Sequence, residues 1–172
     1  GFDAFSHSFE SFLREHASPY TRLIGLQAMQ IIVQSLPKLV NDPSNIQLRE
    51  NMSLAEMFGG ITLGNAAATM PHPLSEIVGG IAPKVPHGQC LATIYPRFLD
   101  YISPLQAEKC ATVARIFDAS LESETDDKAA AQLPNLMREF LADVVLDKSF
   151  SECGVTKEEI EQITDHFLLG VL

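Results

Sequence analysis

Apolar residues recur along this chain at intervals of three and four, the period of a helix buried on one side. Between residues 3 and 16, Phe5, Phe9, Phe12 and Leu13 share one face. Ser18-Pro19 then supplies an N-cap with proline at the first helical position. The run Leu23, Ile24, Leu26, Met29, Ile31, Ile32, Val33, Leu36 is apolar on several faces, which predicts a central helix closed by Asp42-Pro43. Ser44 with Gln47 reads as a capping box opening a third helix over about residues 45–68. Leu54, Phe58 and Ile61 lie on one side of that helix, beside Gly59, Gly60, Gly64 and several alanines that would let another helix approach its backbone.

The stretch from Met70 to Pro86 breaks the rhythm. Prolines at 71, 73, 83 and 86 and the pair Gly79-Gly80 predict a short helix between irregular turns. Regular helices resume after His87. Ser103 with Gln106, and Pro104 between them, predicts a helix running to about Ala119. The acidic run from Glu122 to Asp127 reads as a solvated loop, followed by a helix over about residues 128–146. Thr156 with Glu159 is a third capping box, and Ile160, Ile163 and Phe167 continue at helical spacing. No segment has convincing strand character. The pattern predicts an all-α multi-helix bundle, with residues 1–172 forming one domain.

Composition narrows the function. A formal net charge of -10 excludes a nucleic-acid surface, which needs clustered Lys and Arg. Three scattered cysteines with no CxxC pair fit a reducing compartment, so a cytoplasmic protein is expected. No signal peptide is visible, and polar residues interrupt the apolar runs short of a bilayer span, so no membrane partner is expected.

Chemistry gathers in two places. Asp3 and His7 stand four residues apart, which puts both side chains on one face of a helix. His72 opens the short helix, and His87 sits in Pro86-His87-Gly88 at the start of a long one. Irregular backbone between two histidines is where a site that needs aimed side chains is built. Together the four offer three imidazoles and a carboxylate, donors suited to Fe(II), Zn(II), Co(II) or Mn(II). His16 and His166, among charged neighbours, read as surface residues.

Gly1-Phe-Asp3-Ala-Phe-Ser-His7-Ser-Phe-Glu10 resembles the GxDAxxHxxE signature of iron-containing (group III) alcohol dehydrogenases. Arg49-Glu-Asn-Met-Ser-Leu-Ala is similar to the family's next helix, and His72-Pro-Leu-Ser-Glu76 followed by Pro86-His87-Gly88 to its HxxxH…PHG segment. Ser151-Glu-Cys-Gly-Val-Thr-Lys-Glu-Glu159 resembles its C-terminal turn into the last helices. The resemblance implies a dehydroquinate synthase-like helical C-terminal domain in which Asp3, His7, His72 and His87 bind the metal. A second register matches His72 to the other histidine of HxxxH and leaves Ala68 at the ligand position. It requires a larger insertion before His87, so His72 is preferred as the ligand. Glu76 then stands where many members carry a second, non-ligand histidine, as a candidate proton relay or ligand-orienting group. Glu10 reads first as an i, i+4 partner of Arg14 and second as support for a ligand.

The resemblance also implies a reaction: the metal polarises an alcohol or carbonyl oxygen while hydride moves to or from NAD or NADP. Fe2+ is the family's usual metal, and Zn2+ suits the same donors. The substrate would be a small alcohol or aldehyde. No GxGxxG follows a strand, and the family's nucleotide-binding domain normally precedes the GxDAxxH helix. Gly1 lies just ahead of that helix, so this chain is expected to be a fragment of a protein whose N-terminal nucleotide-binding domain lies elsewhere. A separate cofactor subunit and a homodimer are also open. The alternative is a helical binding or scaffold module that has kept the fold and lost the dehydrogenase chemistry.

Overall fold

The computed structural model describes residues 1–171, which form eight α-helices and one short 3-10 helix with no strand among them. In chain order the helices are α1 Phe2–Leu13, α2 Pro19–Asn41, α3 Ile46–Ala66, α4 Pro71–Ile81, α5 His87–Ile102, α6 Ala107–Phe117, α7 Asp126–Asp143 and α8 Lys157–Val171. The all-α bundle expected from the periodicity is the fold observed.

The central helix is α1, not α2. Ten of the twelve residues of α1 are buried, against six of the twenty-three in α2. Three chemistries divide its surface. Phe2, Phe5 and Phe9 meet an aromatic wall formed by Tyr95 and Phe98 of α5, Phe117 of α6 and Phe140 of α7, and Phe12 is buried on the same helix. Phe2 sits edge-on to Tyr95 with ring centres 5.1 Å apart, an orientation favoured by the ring quadrupoles. Ala4, Ser8 and Ser11 form a small face, along which the Ser8 hydroxyl donates to the Ala4 carbonyl and so needs no further partner. Asp3, His7 and Glu10 make the third face, turned toward α4 and α5.

The small face lets α3 come close. It is the small-residue side of α3 that is buried (Met52, Ala55, Gly59, Thr62, Ala66), whereas Leu54 is 42% exposed. A methyl group on Gly59 would stand 3.0 Å from the Ala4 carbonyl oxygen and 3.3 Å from its Cα. Glycine is required there by the approach of the two backbones. Gly25 of α2 meets the Ser8 carbonyl in the same way, at 3.4 Å.

The helix boundaries correct several expectations. Ser18 caps α2 as predicted, accepting from Thr21 N at 3.1 Å, and Thr156 and Glu159 form the expected reciprocal box at the start of α8. At α3 the cap is Asn45, whose Oδ1 accepts from Leu48 N, while Ser44 is diverted to the Asp42 carboxylate. Ser103 is the buried C-cap of α5, with its N–H donating to the Leu99 carbonyl, so it does not open α6, which starts at Ala107. The acidic run is not all loop. Ala119–Ser123 forms a 3-10 turn, and Asp126 and Asp127 occupy the first turn of α7, where a negative charge suits the helix dipole. Nor are all apolar runs short: α2 is long and apolar enough to cross a membrane by length and composition, although Gly25, Ala28, Met29 and Ile32 are buried in the bundle.

The contact between α1 and α3 yields a paired test by urea denaturation. Gly59→Val should destabilise the chain by about 1–3 kcal/mol through overpacking. Gly60→Ala has open space around the new methyl and should stabilise it by about 0.5–1 kcal/mol. Equal responses at the two glycines would contradict the close approach.

Candidate metal centre

The four proposed ligands come together. Asp3 and His7 stack one turn apart on α1, His72 is the second residue of α4 behind Pro71, and His87 is the first residue of α5 behind Pro86. One carboxylate oxygen lies at the focus. Asp3 Oδ1 is 3.3 Å from His72 Nε2, 3.3 Å from His87 Nε2 and 3.4 Å from His7 Nε2. Asp3, His72 and His87 offer donor atoms all within 4.8 Å of one another. The His7 and His72 rings stack with centres 4.6 Å apart.

These separations test whether the residues suit a metal. Bonds of about 2.0–2.2 Å in a tetrahedral shell leave neighbouring donors about 3.3–3.6 Å apart. The three distances from Asp3 Oδ1 fall in that range, and a three-imidazole, one-carboxylate set is chemically apt for iron or zinc. Asp3, His72 and His87 fit a divalent cation together, and His7 adjoins them through Asp3 and the His72 ring while lying outside that closest group.

Residues 1–169 match the family model described as the Fe-containing alcohol dehydrogenase family, C-terminal. The chain belongs to that family. Among its relatives is the choline dehydrogenase of Bacillus subtilis (strain 168), 29% identical over 164 residues, covering 95% of this chain and 40% of the relative. The NAD-dependent methanol dehydrogenase of Bacillus methanolicus is 28% identical, with 94% of this chain and 42% of the relative covered. An alcohol dehydrogenase from Oenococcus oeni superposes with a TM-score of 0.89 at 28% identity, over 97% of this chain and 43% of that one. A 1,3-propanediol oxidoreductase structure shares the fold with a TM-score of 0.90 at 24% identity, over 97% and 44%. The chain therefore spans about two fifths of the length of the curated relatives it matches.

Behind the focus stands Glu10, and its surroundings overturn the expected pairing with Arg14. Arg14 has left the helix as its extended C-cap, while Glu10 is fully buried. Oε1 of Glu10 accepts from His72 Nδ1 at 2.8 Å and faces the Tyr95 hydroxyl at 3.2 Å. Oε2 accepts from Thr69 N at 2.8 Å and from the Thr69 hydroxyl at 3.3 Å. The turn that delivers Thr69 holds Ala67 at φ 60° and ψ 167°, a conformation that costs an L side chain about 1–3 kcal/mol. Because Glu10 claims the Nδ1 proton, neutral His72 turns an Nε2 lone pair toward Asp3, as a metal-binding imidazole does. Tyr95 and Ser75 were missed in the sequence. Tyr95 sits inside a regular apolar helix, and Ser75 reads there as an ordinary helix serine. Glu76, by contrast, is exposed on α4 and makes no hydrogen bond or ion pair among the described residues.

The site opens on the His87 side into a cleft of about 620 Å³, whose walls include Phe2, Lys84, Pro86, Lys148 and Cys153. Lys84 is clamped by both carboxylate oxygens of Glu159 at 2.8 Å, which ties the turn before His87 to the start of α8.

Charge follows from this packing. Burial opposes protonation of His72, but hydrogen bonds to Asp3 and Glu10 and their negative charges outweigh it and lift its pKa to about 9. Burial would raise Asp3, but the His72 hydrogen bond and the charges of the three histidines hold its carboxyl below the usual range. Burial pushes His7 down, with Asp3 opposing and the positive neighbours assisting. In the metal-free protein, protonated His72 bridges two carboxylates. A folded pKa of about 9 above an ordinary 6.5 gives stability that is complete below about pH 6.5 and lost as pH rises through 9. The melting midpoint of metal-free protein should fall between pH 6.5 and 9.5, and less so in Glu10→Gln. A flat midpoint across that window in the parent protein would disprove the bridge.

Proposed function

We propose that this chain is the metal-binding catalytic half of an iron-dependent alcohol dehydrogenase that interconverts small alcohols and the corresponding carbonyl compounds. Asp3, His7, His72 and His87 would hold the metal, Fe2+ in the first place, with Zn2+ suited to the same donors. A divalent cation held there supplies Lewis acidity to an alcohol or carbonyl oxygen. The observation that carries this reading is the meeting of three imidazole Nε2 atoms at one oxygen of Asp3, at the edge lengths of a tetrahedral shell.

The chain's own residues contribute position and exclusion. Glu10, itself bonded by the Tyr95 hydroxyl, holds His72 from a buried interior, so the buried side of the site is rigid. Phe2 and Pro86 line the cleft beside Asp3 and His87 and keep water from one flank of a substrate seated there. His87, 45% exposed, forms the open rim through which substrate reaches the site. Glu76 points away to solvent, and a relay through it would require a partner brought by another part of the protein. In this reading a nucleotide-binding domain of the same protein would supply NAD or NADP as the hydride carrier, in the cytoplasm, where the three unpaired thiols are stable.

Metal content per chain after anaerobic purification tests the proposal alongside His72→Ala. Near one equivalent of iron or zinc is expected, falling at least tenfold in occupancy at limiting metal for His72→Ala. Absence of bound metal in the parent chain would favour the helical scaffold that has lost its chemistry. Full retention by His72→Ala would favour the register in which His72 is not a ligand. Joined to its nucleotide-binding domain, the protein should reduce NAD(P) with a primary alcohol, and His72→Ala should abolish that activity.

A further inference from the structure

We infer that Ser75 is a positioning residue that fixes the tautomer of His87 and so turns His87 Nε2 into a metal-binding lone pair. The inference rests on the metal-centre reading above and adds a residue to it. Ser75 is 2% exposed, on the buried side of α4, three residues after His72. Its hydroxyl makes two contacts, 2.9 Å to the His72 carbonyl and 3.2 Å to His87 Nδ1.

The direction of each contact follows from the inventory of protons. A carbonyl only accepts, so Ser75 spends its single proton on His72 O. With its proton on the His72 carbonyl, the hydroxyl turns a lone pair to His87 Nδ1 and in this arrangement accepts the Nδ1 proton. A neutral imidazole carries one proton. With that proton on Nδ1, Nε2 is bare and faces Asp3 Oδ1 at 3.3 Å. Two acceptors so placed repel unless a positive group lies between them, and a cation bound by both is the arrangement that satisfies each.

Ser75 thus does for His87 what Glu10 does for His72, by a neutral rather than a charged acceptor. The choice suits location. His72 is nearly buried and is held by a carboxylate, whereas His87 stands at the open rim and has only this hydroxyl on its other nitrogen among the described residues. The same hydroxyl also grips the first turn of α4 through the His72 carbonyl, so one side chain sets the spacing between two proposed ligands.

The test uses the 172-residue chain with Ser75→Ala and Ser75→Thr. Metal affinity is read by Zn2+ competition against a chromophoric chelator. The His87 tautomer is read in metal-free protein from its 15N imidazole shifts above the pH at which that ring titrates. Parent and Ser75→Thr should show a bare Nε2 on His87, and Ser75→Ala should move the proton to Nε2. Zn2+ affinity should drop about 10- to 100-fold in Ser75→Ala, with recovery in Ser75→Thr. An Nε2-protonated His87 in the parent, or unchanged Zn2+ affinity in Ser75→Ala, overturns the role of Ser75. A parent chain that binds no Zn2+ overturns the metal-centre reading instead, and the nitrogen shifts still decide the tautomer.

Discussion

A carboxylate without exposed surface must find its charge partners inside the protein, and Glu10 is that carboxylate here. Its partners come from three separate places: His72 on α4, Tyr95 on α5 and Thr69 in the turn after α3. Each is more than fifty residues away along the chain. The bonds to Glu10 therefore align α1, α4 and α5 as well as neutralising a buried charge, and the proposed metal centre lies at that junction. The strained backbone at Ala67 belongs to the same arrangement, since it aims Thr69 N at Oε2. A buried ionic cluster of this kind is worth little as bulk stabilisation and much as a fixed geometry.

The remaining surface of α1 explains how such a polar junction is tolerated. Phenylalanines on one side join an aromatic cluster, and small residues on another admit α3 and α2 to backbone contact. These dry contacts hold α1 on two sides while the third carries Asp3, His7 and Glu10. The ligand candidates on α1 are held by packing, and those on α4 and α5 by Glu10 and Ser75. Only His87 is largely exposed, so one end of the site is rigid and the other is accessible.

The sequence shows the helices clearly because their signals are local. Ser18-Pro19 and Thr156 with Glu159 act within four residues, and the structure repeats them. The same kind of signal failed at Ser103, where the serine is claimed by the end of the preceding helix. The ranking of helices failed for a different reason. Apolar content made α2 look central, but burial is set by what surrounds a helix, and α1, with its serines and His7, has ten of its twelve residues buried. Asp3, His7, His72 and His87 could be grouped in the sequence only through the family resemblance, because an Asp–His pair at helical spacing is common by itself. Glu10 was legible only as an acid with a basic residue one turn on, since nothing local reveals that Arg14 leaves the helix. Ser75 and Tyr95 carry no such mark, because their roles arise from contacts 12 and 85 residues away.

The burial of α1 also has a bearing on how the chain reaches its fold. The aromatic wall that covers Phe2, Phe5 and Phe9 is supplied by residues 95–140, roughly a hundred positions downstream. Until α5, α6 and α7 have left the ribosome, α1 has no native cover for its phenylalanines. At about 5–20 residues per second that interval lasts on the order of ten seconds, far longer than a helix needs to form. The helix that anchors the mature site is thus the segment most in need of shielding during synthesis, and slowing translation across residues 14–94 would lengthen its exposure.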